Sequence, residues 1–190
     1  MINQKHNFIF VHIPKTSGRS TERYLLNFNS IREIQPHHPI TDYIKRVKNF
    51  HSMFKFSFVR NPYERLLSEY FYAKRMGGCE CEFEDFKIEY NTFKKFVMSD
   101  ALEKCCYKHH NTPQIEMANP KYMNFIGRFE NLQEDFDTIC DKIGIPKNKL
   151  PHINNTNHKH YTEYYDDETR EIVAEKYARD IEYFGYKFGE

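Results

Sequence analysis

FIFVHIPKTSGRST, residues 8–21, passes from an apolar run to small and polar residues within a few positions. Asn7 to Ile13 is short, apolar and partly β-branched, and Pro14 bounds it, so it reads as a buried strand. Pro14 to Thr21 then supplies the small residues of a turn. Tyr24, Leu25 and Phe28 follow at helical spacing. A small-residue turn that opens a helix gathers backbone N–H groups at the positive end of the helix dipole, which suits a phosphate or sulfate. Lys15 adds a point charge, and Thr16, Ser17, Ser20 and Thr21 add hydroxyls around Gly18 and Arg19.

The same grammar recurs outward from this unit. Lys55 to Val59 (KFSFV) alternates and reads as a second strand, ending at Arg60-Asn61-Pro62. Tyr63, Leu66, Leu67, Tyr70 and Phe71 then mark a helix, with Asn61 as its cap and Pro62 at its first position. Asn124 to Phe129 (NFIGRF) reads as a third strand, followed by a helix with Leu132, Phe136, Ile139, Cys140 and Ile143 on one face, stopped by Gly144 and Pro146. A last helix starts at Asp166-Asp167-Glu168 and runs to Phe184 and Gly185. Strands alternating with helices predict an α/β fold, a parallel sheet of about four or five strands with helices on both faces. Residues 1–190 read as one domain, with 76–123 a variable insert.

Composition narrows the classes. With 28 Lys plus Arg against 27 Asp plus Glu, the net charge of +1 gives no global basic field, so any anion site is local. An aromatic share of 16% argues for a packed core. No run approaches the ~20 apolar residues of a membrane span, and Met1 to Asn7 does not read as a signal peptide. A soluble, cytoplasmic protein is the expectation, although a domain cut from a membrane-anchored parent gives the same reading. Five cysteines are not spread as a secreted disulfide framework.

Each candidate motif has a plain alternative. The first turn departs from the Walker order, because Lys15 precedes Gly18, so an ordinary strand–helix turn with a surface lysine competes with an anion site. Arg60 sits where a buried strand ends, at the edge at which open α/β folds bind ligands, and its planar fork suits a doubly charged phosphate. A helix-capping arginine with a solvent-facing Ser68 competes with that reading.

Taken together, PKTSGRST after the first strand and FSFVRNPYERLLSEY at 56–70 resemble the carbohydrate sulfotransferases of the heparan and chondroitin type. These are P-loop-like three-layer sandwiches that use 3′-phosphoadenosine 5′-phosphosulfate (PAPS). GRFENLQEDF and the segment from Leu150 to Phe188 resemble the family's closing part, so the likeness covers 8–30, 55–75 and 124–188. It implies that residues 15–21 (Lys15, Thr16, Ser17, Gly18, Arg19, Ser20, Thr21) hold the 5′-phosphosulfate, with Lys15 on the departing oxygens. It implies that Arg60 and Ser68 hold the 3′-phosphate, and that Lys159 contacts phosphate from the Asn154 to His160 loop. Where relatives carry several basic residues in that loop, this chain has Asn155, Asn157 and His158.

The resemblance further implies sulfuryl transfer to a hydroxyl of a sugar or glycan, no required metal, and adenosine 3′,5′-bisphosphate as the product. No acidic strand end of the Walker-B kind stands in the sequence. The partners it implies are the nucleotide donor and the hydroxyl acceptor, without nucleic acid and without a membrane span. Residues 76–123 then fall on the acceptor side. In relatives a histidine between the two motifs acts as base, and His38 in HHPITDYIK lines up with it. His37 and His51 are alternatives, and Glu22 is a minor one. Cys79, Cys81, Cys105, Cys106, His109 and His110 leave open structural zinc, a disulfide, or free thiols. His109, His110 and Pro113-Gln114 resemble a family segment near the acceptor. A nucleotide phosphotransferase and a catalytically silent binding module remain as alternative functions.

Overall fold

The computed structural model describes residues 1–31, 37–76, 90–99, 102, 110–151 and 158–190. The expectations placed on Cys79, Cys81, Cys105, Cys106, His109 and residues 154–157 lie outside them. The chain divides into two compact units, Met1–Arg60 with Gln114–Asn154, and Asn61–Pro113 with Asn155–Glu190.

The first unit holds a four-stranded sheet in the order β1 (Ile2–Asn3), β2 (Phe8–Val11), β3 (Phe54–Val59) and β4 (Phe125–Arg128). β2, β3 and β4 are parallel, and β1 pairs antiparallel with β2. Side chains alternate across a strand, so one face carries Phe8, Phe10, Phe56 and Phe58. These rings pack on one another, with Phe10 and Phe56 5.1 Å apart. α1 (Gly18–Leu25) covers this face with Tyr24 and Leu25, joined by Phe136, Ile139 and Cys140 of the Leu132–Ile143 helix. The opposite face carries Ile9 and Val11 under Ile40 and Tyr43 of α2 (Ile40–Arg46), with Phe50 and Met53. Gly127 in β4 is required by close packing, since a Cβ there would lie 2.6 Å from the Phe58 ring.

Two details differ from the sequence reading. β1 was not expected, because two residues carry no periodicity. It is fixed by long-range contacts, the Ile2–Ile31 bridge and Asn3 Nδ2 donating to the Phe28 carbonyl. Lys55 alternates onto the Ile9 face and is buried, its ammonium donating to the Met53 carbonyl at 2.6 Å and to those of Phe50 and His51. Burial lowers its pKa.

The second unit is helical: α3 (Pro62–Met76), α4 (Phe93–Met98), and two C-terminal helices, Asp167–Lys176 and Ala178–Phe184. Tyr63, Leu67, Tyr70, Phe96, Val173 and Tyr177 are among its core residues. Asn61 caps α3 as expected, its Oδ1 accepting from Tyr63 N–H at 3.1 Å. Asp166 opens the next helix with a reciprocal capping box to Thr169. The single last helix read from the sequence is two. The chain leaves helical geometry at Tyr177 (φ −110°), whose buried hydroxyl donates to the Asn111 carbonyl at 3.0 Å. Among the described residues no helix is long and apolar enough to cross a membrane.

Candidate functional site

The turn between β2 and α1 is held in an uncommon backbone state. Lys15 (φ 67°) and Ser17 (φ 64°) both adopt left-handed conformations that cost non-glycine residues about 1 kcal/mol or more each. Ser17 in the left-handed region followed by helical Gly18 turns successive N–H groups toward one concavity, the form of an anion nest. The first turn of α1 has no acidic residue. Thr16, Ser20 and Thr21 are buried, Lys15 and Ser17 half-buried, and Arg19 exposed. The Thr16 hydroxyl donates to the Ile13 carbonyl at 2.9 Å and the Thr21 hydroxyl to the Ser17 carbonyl at 3.2 Å. Both hydroxyl protons close the turn itself.

Arg60 follows the last residue of β3 and meets this turn. Its Nη1 donates to the Lys15 carbonyl at 3.2 Å, and its guanidinium lies 3.9 Å from the centre of the Phe129 ring. Both of its backbone polar groups are held by the Gln114 carboxamide, Arg60 N–H donating at 2.9 Å and Gln114 Nε2 donating to the Arg60 carbonyl at 2.8 Å. Because β2 and β3 are parallel, the Lys15 turn and Arg60 occupy the same C-terminal sheet edge. The Arg60 guanidinium and the backbone of the Lys15 turn therefore meet inside one unit. Of the remaining expected residues, Ser68 lies on α3 in the second unit and is buried. Lys159 belongs to that unit too, exposed and paired with Glu163 at 3.1 Å, a contact that raises its pKa.

His12, His37 and His38 stand in the first unit. His38 Nδ1 lies 2.6 Å from Asp42 Oδ2, one helical turn on, with both side chains about a third exposed. His37 (φ 70°) sets its ring edge-on to His12, with centroids 4.7 Å apart. His12, which the sequence reading passed over, is buried, and its Nδ1 lies 3.1 Å from Glu22 Oε1. A signal for it was present: His12 shares the parity of Phe8 and Phe10, the sheet face under α1, and Glu22 lies on α1. Gly18 accommodates this ring, because a Cβ at position 18 would fall 1.8 Å from His12 Cδ2. His51 precedes β3, at the sheet edge opposite the turn.

In the second unit, His110 Nδ1 lies 2.9 Å from Glu69 Oε1. Arg65, buried beside Asp180, donates to the carbonyls of His110 and Thr112 at 2.6 and 2.8 Å.

The sulfotransferase family matches residues 1–187. An uncharacterized protein of Archaeoglobus fulgidus is 33% identical over 110 residues, 56% of this chain and 81% of that protein. Carbohydrate sulfotransferase 14 of Danio rerio is 22% identical over 183 residues, covering 77% of this chain and 48% of its own. Carbohydrate sulfotransferase 9 of Homo sapiens is 24% identical over 216 residues, covering 95% and 47%. The chain spans about half the length of these two relatives. Among solved structures, a sulfotransferase from Alicyclobacillus acidocaldarius aligns over 96% of this chain and 81% of that one, with a TM-score of 0.40 and 12% identity.

Proposed function

The chain belongs to the sulfotransferase family, and on that premise we propose that it moves a sulfuryl group from PAPS to a hydroxyl of a carbohydrate-type acceptor. The observation that carries the reading is the meeting of two cationic elements at one sheet edge, the Lys15 turn and Arg60, joined by the 3.2 Å bond from Arg60 to the Lys15 carbonyl. A donor with phosphates at both its 5′ and 3′ positions calls for two such elements, and the names of the two curated relatives support a carbohydrate acceptor.

The residues fit such a donor. The backbone N–H groups of residues 16–20 and the Lys15 ammonium would hold the 5′-phosphosulfate and the Arg60 fork the 3′-phosphate, with Ser68 a further candidate from the family resemblance. Lys159 would add charge from the C-terminal loop. When bound, the donor supplies a sulfuryl group whose departure leaves charge on the bridging phosphate oxygen. In this reading Lys15 and the turn's N–H groups would meet charge of that kind, and a preorganised donor set of this type accounts for large rate effects. A sulfuryl group carries less charge than a phosphoryl group, so a lysine and amides suffice in this reading without a metal.

The acceptor's proton needs a base. His38 is the proposed one, its Nδ1 turned to Asp42 so that Nε2 is left to accept. A second reading is favoured by a specific contact, the buried His12–Glu22 pair beside Gly18, which has the orientation of a carboxylate-held imidazole. Incubation with sulfur-labelled PAPS and a panel of desulfated glycans tests the proposal. Label transferred to a glycan supports it, and donor binding without transfer to any acceptor moves the reading to a silent binding module.

A further inference from the structure

Gln114 is fully buried and opens the short helix Gln114–Met117, 54 residues from Arg60 in sequence. Val59, the last residue of β3, is paired with Arg128, the last of β4, so the strand ladder has ended where Arg60 begins. The Gln114 carboxamide takes over there. Its oxygen accepts from Arg60 N–H at 2.9 Å and its nitrogen donates to the Arg60 carbonyl at 2.8 Å, which is what a neighbouring peptide group would do. A side-chain amide is chemically a peptide unit, and none of the charged side chains can both donate and accept in this manner.

The consequence falls on the Arg60 side chain. With its backbone clamped, the guanidinium leaves from a fixed point and is braced by the Phe129 face at 3.9 Å and by the Lys15 carbonyl at 3.2 Å. Without the clamp, the fork would have to be ordered when a ligand arrives, and that cost subtracts from affinity.

We infer that Gln114 is a positioning residue for Arg60 and thereby sets the preference of the site for nucleotides bearing a 3′-phosphate. The inference rests on the proposed role of Arg60 as the 3′-phosphate ligand. It separates two effects that a merely structural glutamine would combine. Loss of general packing weakens every nucleotide alike, whereas loss of the clamp falls chiefly on the contribution of the 3′-phosphate.

The test is titration calorimetry with adenosine 3′,5′-bisphosphate and with adenosine 5′-phosphate, on the wild-type chain and on Gln114→Met and Arg60→Ala. Gln114→Met keeps the volume and removes both clamp bonds. It is expected to reduce the ratio of the two affinities by ~10-fold, the larger loss falling on adenosine 3′,5′-bisphosphate, and Arg60→Ala to abolish the ratio. A Gln114→Met ratio equal to wild type, beside an Arg60→Ala ratio that has collapsed, overturns the role of Gln114. A parallel loss for both nucleotides also overturns it, in favour of packing alone. An unchanged ratio in Arg60→Ala instead removes Arg60 from the 3′-phosphate, and the inference with it. Should the Gln114→Met chain not fold, Gln114→Asn, one methylene too short to span both backbone groups, carries the same comparison.

Discussion

Replacement of Gly18 by alanine probes the packing beneath the Lys15 turn. The new Cβ would lie 1.8 Å from His12 Cδ2 and 1.9 Å from Nε2. Ordinary carbon contacts begin near ~3.5 Å, so the imidazole must retreat by about 1.5 Å or more. His12 and Glu22 are only 6% and 3% exposed, and the ring's retreat breaks their 3.1 Å contact. Loss of the His12 contact at the buried Glu22 carboxylate costs about 1–3 kcal/mol, and overpacking costs about 1–3 kcal/mol more. The reduced freedom of the unfolded chain returns about 0.4–1 kcal/mol, so the net loss is about 1–5.5 kcal/mol. For a chain of this size that lowers the melting temperature by about 2–20 °C. The assay is thermal unfolding of four chains, wild type, Gly18→Ala, His12→Ala and the double variant. With the imidazole removed the clash is gone, and alanine at this helical position becomes neutral or stabilising by up to ~1 kcal/mol. A Gly18→Ala melting temperature equal to wild type, or the same loss in the His12→Ala background, refutes the reasoning.

Other outcomes follow from the same geometry. Lys15→Ala should lower the transfer rate by at least ~100-fold, and near-normal turnover would remove Lys15 from the developing charge. His38→Ala should reduce turnover while donor affinity holds. If it does neither and His12→Gln does, the base is the His12–Glu22 pair. Asp166→Asn keeps the helix cap but loses the charge that pairs with Lys94 at 2.7 Å. The Asp166 carboxyl is held well below the usual carboxylate range by Lys94 first and by Thr169. A depressed carboxylate stabilises above its unfolded pKa, near ~3.9, and the benefit fades as pH falls toward the folded value. The melting-temperature gap between wild type and Asp166→Asn should therefore be present at pH 6 and shrink as pH falls below ~4. A gap that is constant across this range contradicts the assignment.

The legible parts of the chain were those written locally. Pro14 to Gly18 announces a turn into a helix, Asn61-Pro62 a helix start, and Asp166 a cap, because each signal lies within four residues of what it controls. The aromatic alternation of KFSFV gave the sheet face. What escaped depends on partners far away in sequence. β1 exists through Ile31 and Phe28, and the break at Tyr177 coincides with a hydroxyl bond to Asn111. The bond from His12 to Glu22 requires α1 to be laid across the sheet before it can be seen. The Gln114 clamp on Arg60 bridges 54 residues, and no periodicity encodes it. At the turn, the residue types pointed to an anion site, but the spending of the Thr16 and Thr21 protons on carbonyls is a matter of conformation that no composition reveals.

The central claim, that the Lys15 turn and Arg60 serve a donor phosphorylated at both ends of its ribose, is tested most directly by nucleotide binding. Adenosine 3′,5′-bisphosphate, adenosine 5′-phosphate and ATP with Mg²⁺ would each be titrated into the wild-type chain while unfolding is monitored. A ligand at ~100 times its dissociation constant adds about 2.7 kcal/mol of stability, several degrees here. Stabilisation by the 3′-phosphorylated nucleotide at concentrations where the other two have no effect is the predicted result. Stabilisation by ATP with Mg²⁺ alone, or equal stabilisation by all three, would contradict it.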